Sequence, residues 1–353
     1  MRLSSSLAGL ALVGQACLAA PERQVIPAGG TAKTVDRALM QTVYEQIKTP
    51  FKYGVVVPAP AGKKTDCPSV FRHGGRWYMV YIVFDDQGYE TLLAVSDDLL
   101  RWSTLGRIMS RRGTGWDANQ AAGYIALQDH RFGGSHALAP FEGRYWLSYI
   151  GGALKGYETD PLAIGIAHTD DPTQVKEWDR LPAAVLSRDQ PDVRAWEKLT
   201  QYKSNIIWDR DERLGYPFVM YYNAKSKSGY ERIGMAVSRD LRTWLRYGAE
   251  PIVDNGSGIS GDPQVVRLGE LWVMFYFGAF YKPKAFDTFA CSHDMVHWTK
   301  WDGPHLVEPS VPYDATYAHK PWVVSHGGVV YHFYNAVGNQ GRCIALATSH
   351  DLR

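Results

Sequence analysis

The sequence predicts an all-β chain folded as a five-bladed β-propeller. Two observations predict it. The phrase Ala-x-Ser/Thr-x-Asp occurs five times, starting at Ala94, Ala167, Ala236, Ala290 and Ala347, about 55–75 residues apart. An aromatic, β-branched run precedes each copy: RWYMVY, RYWLSY, YPFVMYY, LWVMFYF and VVYHFYN. A period of this kind marks a fold built by repeating one supersecondary unit. Short aromatic and β-branched runs bounded by Gly turns are strand signals.

The elements follow in chain order. Met1-Arg2 and the apolar run Leu7–Leu18, ending in small residues at Ala19-Ala20, read as an export signal over residues 1–20. Cys17 raises a lipoprotein alternative, although Gly14 stands where such a motif usually has Leu. The expected location is therefore periplasmic or secreted. Residues 21–50 form an extension with a helix over 33–48, because Val35, Leu39, Val43 and Ile47 share one helical face. The propeller then occupies 51–353.

FKYGVVVPA at Phe51 resembles RYGAEPIVD at Arg246, the fourth strand of its unit. The last unit lacks a fourth strand, so the Phe51 segment is expected to supply it and close the ring, removing both free edges. A further apolar run precedes each aromatic one: CPSVFR, HALAPF, SNIIWD, PQVVRL and PWVVSH. Each unit thus reads as four strands, A to D outward from the axis. The phrase itself is the C–D hairpin. Its Asp caps a turn, and the tryptophans that follow four of the copies (Trp102, Trp178, Trp244, Trp298) pack between units.

The chain of 353 residues is 45% hydrophobic with a formal charge of +2. No basic block points to nucleic acid, and no later stretch is long and apolar enough to span a membrane. Cys67, Cys291 and Cys343 are too widely spaced for a disulfide framework and read as buried free thiols.

Strand alternation puts the A-strand starts and the B–C loops on one face. The A starts are polar: Thr65-Asp66-Cys67-Pro68, Gly134-Ser135-His136, Tyr202-Lys203-Ser204-Asn205, Gly261-Asp262-Pro263 and Ala318-His319-Lys320-Pro321. An apolar strand does not need Asp, Lys or His at its start, so five such starts around one axis predict a polar pocket. The phrase Gly-Tyr-Glu occurs three times, ending at Glu90, Glu158 and Glu231, all in B–C loops on that face. These glutamates read as pocket carboxylates or as rim salt bridges.

At Asp66-Cys67-Pro68-Ser69-Val70, Trp116-Asp117-Ala118-Asn119-Gln120, Gly261-Asp262-Pro263 and His319-Lys320-Pro321, the chain resembles the five-bladed propeller glycoside hydrolases. That group contains families 43, 32, 117 and 130, and family 43 is the most similar. The resemblance spans Phe51 to Arg353. It implies Asp66 as general base or nucleophile and Asp262 as general acid. It also implies a charge-tuning Asp on the third unit, where this chain has Lys203 and Asn205, and it allows a calcium ion on the axis. No other cofactor is implied.

Glycoside cleavage needs two carboxyl groups flanking the bond. Asp66 and Asp262 are the expected pair, with Glu158 and Glu231 as the third carboxylate or as the acid itself. Trp116, Asp117, Asn119, His136, Lys203, His319 and Lys320 are the expected substrate contacts. The function predicted is an exo-acting glycosidase on a carbohydrate substrate. The alternatives are a family 130-like phosphorylase and a non-catalytic sugar-binding propeller.

Overall fold

The computed structural model describes residues 23–353; the expected export signal over residues 1–20, with Cys17, lies outside them. Among the described residues the chain is all-β apart from one α-helix and two short 3₁₀ turns. The helix, α1 (Arg37–Ile47), starts later than expected, because Asp36 caps it by accepting from the backbone N–H groups of Ala38 and Leu39. Met40, Val43 and Ile47 are its buried face. Among the described residues no helix is long and apolar enough to cross a membrane.

The strands pair in sets of four. One set contains β1 (Phe51–Val57) with β18 (Tyr317–His326), β19 (Val329–Gly338) and β20 (Gly341–Thr348). The others are β2 (Lys64–His73) to β5 (Ser103–Met109), β6 (Gln120–Ile125) to β9 (Asp179–Arg180), β10 (Thr200–Trp208) to β13 (Trp244–Tyr247) and β14 (Ile259–Leu268) to β17 (Trp298–Lys300). Within each set all pairings are antiparallel. A single parallel bridge, Tyr89 to Gln120 or Glu231 to Ile259, links one set to the next in each eight-stranded sheet. The Phe51 segment pairs antiparallel with β20 in register Phe51–Thr348.

The second strand of each set is buried on both faces. Every residue of LWVMFYFGA in β15 (Leu271–Ala279) is buried. A strand covered on both sides loses its polar alternation and reads as one continuous apolar run. Side-chain amides stitch neighbouring sets together. Asn205 Oδ1 accepts from Val265 N, Gln264 bonds both backbone groups of Val323, and Asn335 Oδ1 accepts from Cys67 N at 2.6 Å.

The repeated phrase is a turn. In three copies a carboxylate oxygen of Asp98, Asp240 or Asp294 accepts two backbone N–H bonds from the residues after it. The intervening Leu99, Leu241 and Met295 take positive φ, and Trp102, Trp244 and Trp298 donate Nε1–H to their carbonyls. Asp240→Ala is therefore expected to lower unfolding free energy by about 1–2 kcal/mol, two modest hydrogen bonds, and to leave activity unchanged. Urea unfolding measures it.

One element differs from expectation. The inner strand of the second set is β6, starting at Gln120, and not the segment after Gly134. The sequence QAAGYI has small residues and a weak strand signal, whereas HALAPF looks stronger. At Gly123 the space is tight: a Cβ there would lie 3.1 Å from Thr91 Oγ1.

Candidate active site

Four of the inner strands carry the same irregularity. Register shifts occur between Asp66 and Ser69, Gln201 and Ser204, Gly261 and Gln264, and His319 and Trp322. At three of them a non-glycine residue has left-handed φ: Cys67 (48°), Asp262 (53°) and Lys320 (64°). Each is followed by proline: Pro68, Pro263 and Pro321. Proline disfavours the right-handed helical region for the residue before it and brings no N–H to a bulge. A bulge re-aims side chains at a strand end, and strain of this kind persists where the surroundings over-determine it.

A cavity of about 160 Å³ opens over these strand starts. Glu158, Glu231, Asp262, His319, Lys320 and Arg342 form its polar wall, with Tyr157 and Tyr202 beside them. Phe277, Ala279, Phe280 and Tyr317 form the apolar wall, and Phe280 is 64% exposed at the rim.

The three Tyr-Glu glutamates have separated. Glu90 is a rim salt bridge, with Arg107 at 2.7 Å. Glu158 and Glu231 reach the cavity. Glu231 opens β12 (Glu231–Ser238), where the bridge to Ile259 holds its backbone. Asn223 Nδ2 donates to its Oε2 at 2.9 Å. Asn223 Oδ1 in turn accepts from the Asp262 backbone N–H at 3.2 Å, so one amide ties the Glu231 carboxyl to the bulged backbone at Asp262. Burial, then the charge of Glu158, pushes the Glu231 carboxyl up to about 8. Glu231 is thus protonated at neutral pH.

Glu158 is 28% exposed and accepts from Lys320 Nζ at 2.9 Å and from Tyr89 OH at 3.4 Å. Burial raises Asp262, against the opposing charges of Lys203 (3.8 Å) and Lys320. Burial, reinforced by the charges of Arg342 and Lys320, holds His319 well below the usual histidine range. His319 is therefore a neutral hydrogen-bonding group. Its Nδ1 faces Asn335 O at 3.3 Å, and Arg342 Nη1 lies 3.4 Å from its Nε2.

Asp66, the expected base, lies beneath the cavity and is completely buried. Its Oδ2 accepts from Tyr157 OH (2.7 Å), Arg342 Nη1 (3.0 Å) and Lys320 Nζ (3.3 Å). Burial alone would raise its pKa, but the charges of Lys320 and Arg342 overcome that and hold it well below the carboxylate range. Cys67 Sγ lies 3.4 Å from Asp66 Oδ1 and 3.5 Å from Asp262 Oδ2, so the two aspartates are near neighbours through one thiol. The thiols of Cys67, Cys291 and Cys343 are all free and buried.

Other expected contacts lie elsewhere. Lys203 is 1% exposed under the floor, between the rings of Tyr124 and Trp322. Asp117 is buried against Arg180 and Tyr149 OH, each at 3.0 Å. Asn119 donates to Ala153 O, and Trp116 stacks on Tyr149 beside a separate hollow. His136 bonds Ser325 O at 2.8 Å on the connection after β6, away from the cavity. The displacement of His136 follows from the position of β6.

Tyr157, Asn223 and Arg342 join the site without having been expected from sequence. Asn223 did leave a signal: Tyr-Asn-Ala recurs at Tyr222 and Tyr334, each time putting a polar amide inside an apolar strand. Arg342 left none. Among the described residues no three His, Cys, Asp or Glu side chains are grouped to hold a metal ion.

No protein-family model and no curated protein matches the chain. Solved structures do. Over 90% of its length the chain is similar to a structure named "Glycoside hydrolase", with 46% identity, 97% of that protein covered and a TM-score of 0.86. It is equally similar to BT0996 solved as an RGII complex, with 45% identity, 90% of this chain and 97% of that protein covered and a TM-score of 0.87. A thermostable family-43 glycoside hydrolase shares the fold at 14% identity, with 84% of this chain and 91% of that one covered and a TM-score of 0.60.

Proposed function

The chain belongs to the glycoside hydrolases, and on that premise we propose that it releases a terminal sugar, with Glu231 as general acid and Glu158 as the charged carboxylate facing the anomeric carbon. The observation that carries this is a buried carboxyl, Glu231, and an ion-paired one, Glu158, lining one small cavity. Glu231 keeps its proton to about pH 8, while Glu158 sits on the Lys320 ammonium. A glycosidase needs one carboxylic acid and one carboxylate across the scissile bond. Asp262 supports the acid, since its charge adds to the rise of the Glu231 pKa.

A volume of about 160 Å³ is below the roughly 300–1,000 Å³ of drug-sized ligand sites, which favours one sugar ring and exo action. A relative solved as an RGII complex supports a carbohydrate as the substrate. The phosphorylase reading has less support, because the cavity's ammonium, Lys320, is already engaged by Asp66 and Glu158. The five sets of strands are read as blades of a ring closed by β1. The N-terminal segment supports export.

The pH profile tests the assignment. Glu231 must be protonated to act, so kcat/KM should fall tenfold per unit as pH rises above about 8. A rate that stays level to pH 10 with an unactivated substrate removes Glu231 from the acid role.

A further inference from the structure

Next to the catalytic cavity runs a second hollow of about 560 Å³. Tyr157 and Arg342 line both. Lys63 and Lys64 face it from the start of β2 and the turn before it, with Asp86 across from them. Three cations therefore share one groove with one carboxylate. Lys63 and Lys64 form no salt bridge among the described residues, whereas most other cations near the cavity do. Lys64 Nζ instead lies over the rings of Phe84 (5.0 Å) and Tyr157 (5.3 Å), which fixes its position without neutralising it. Arg342 gives one nitrogen to Asp66 and His319, and its side chain stays 15% exposed toward the groove.

We propose that this groove is the subsite for the sugar adjoining the one in the cavity, and that it takes an acidic sugar through its carboxylate. The proposal deepens the hydrolase reading and rests on it for the cavity's role. A neutral sugar would leave Lys63 and Lys64 without a counter-charge. A carboxylate between them and Arg342 supplies one, and the guanidinium fork offers paired donors to its two oxygens. Because the lysines are exposed, the attraction is screened by salt.

The test measures binding to the full chain carrying Glu231→Gln, in which turnover is expected to be slow. Calorimetry compares trigalacturonate with its carboxyl-reduced neutral counterpart. The expected result is tighter binding of trigalacturonate, weakened by added salt. In the variant Lys63→Gln/Lys64→Gln the advantage should shrink about fivefold, the size of two screened charge contacts together, with the neutral trisaccharide unaffected. Lys63→Gln alone, in the turn, should give part of the same loss where the double variant does not fold. Equal affinity for the two trisaccharides, or an advantage that survives loss of both lysines, overturns the proposal. So does inorganic phosphate that displaces trigalacturonate and is required for turnover by the unaltered enzyme. Should Glu231→Gln retain full turnover, the acid assignment fails, while the comparison of acidic and neutral ligands is still read in the same way.

Discussion

Glu231→Gln is expected to lower kcat/KM for an unactivated glycoside by about 10²–10⁴, the usual contribution of a positioned proton donor. The amide keeps the shape and the bond from Asn223 but has no acidic proton for the leaving oxygen. The loss should shrink on an aryl glycoside with an acidic phenol, which departs without protonation. Glu158→Gln should impair both substrates alike, since a charged carboxylate is needed whatever the leaving group. It should also move the alkaline limb to lower pH, because the Glu158 charge helps to raise the Glu231 pKa. If the loss in Glu231→Gln is the same for both leaving groups, the acid lies elsewhere, with Asp262 the next candidate.

Asp66→Ala is expected to lower unfolding free energy by about 3–5 kcal/mol, the cost of leaving buried charges without their partner. Lys320 and Arg342 would lose their shared carboxylate, and Tyr157 its hydrogen-bond acceptor. Urea unfolding of the variant measures this. Asp66 has a folded pKa below its unfolded value. Its contribution is therefore complete above about pH 4 and is lost as pH falls through the folded value. Activity should fall as well, through the freed Lys320 and the displaced Glu158. A variant as stable as the parent but inactive by several orders of magnitude would return Asp66 to the catalytic role that its place in the sequence suggests.

Asp66 illustrates how far a sequence motif reaches. Its position before Pro68 marks an inner strand start at the polar end of the fold, and the side chain is indeed there. Whether it meets substrate depends on Tyr157, Lys320 and Arg342, which come from 91, 254 and 276 residues away. The same limit applies to the glutamates. Glu90, Glu158 and Glu231 carry nearly the same local phrase, yet one is a rim salt bridge and two reach the cavity. Local sequence sets the loop, but not which cations stand opposite it. His136 lies outside the site for another reason: the small residues of β6 give a weak strand signal, and the stronger apolar run beside His136 is not the inner strand.

The sequence by itself determined the repeat, the strand-rich units, the capped turns and the face on which polar residues gather. Those follow from local preferences: side-chain alternation, Gly and Asp at turns, and proline at a bulge, each acting over a few residues. Only the tertiary structure decided which carboxylates share a cavity and which of them keeps its proton. A pKa depends on burial and on charges a few ångströms away, and here those charges come from opposite ends of the chain.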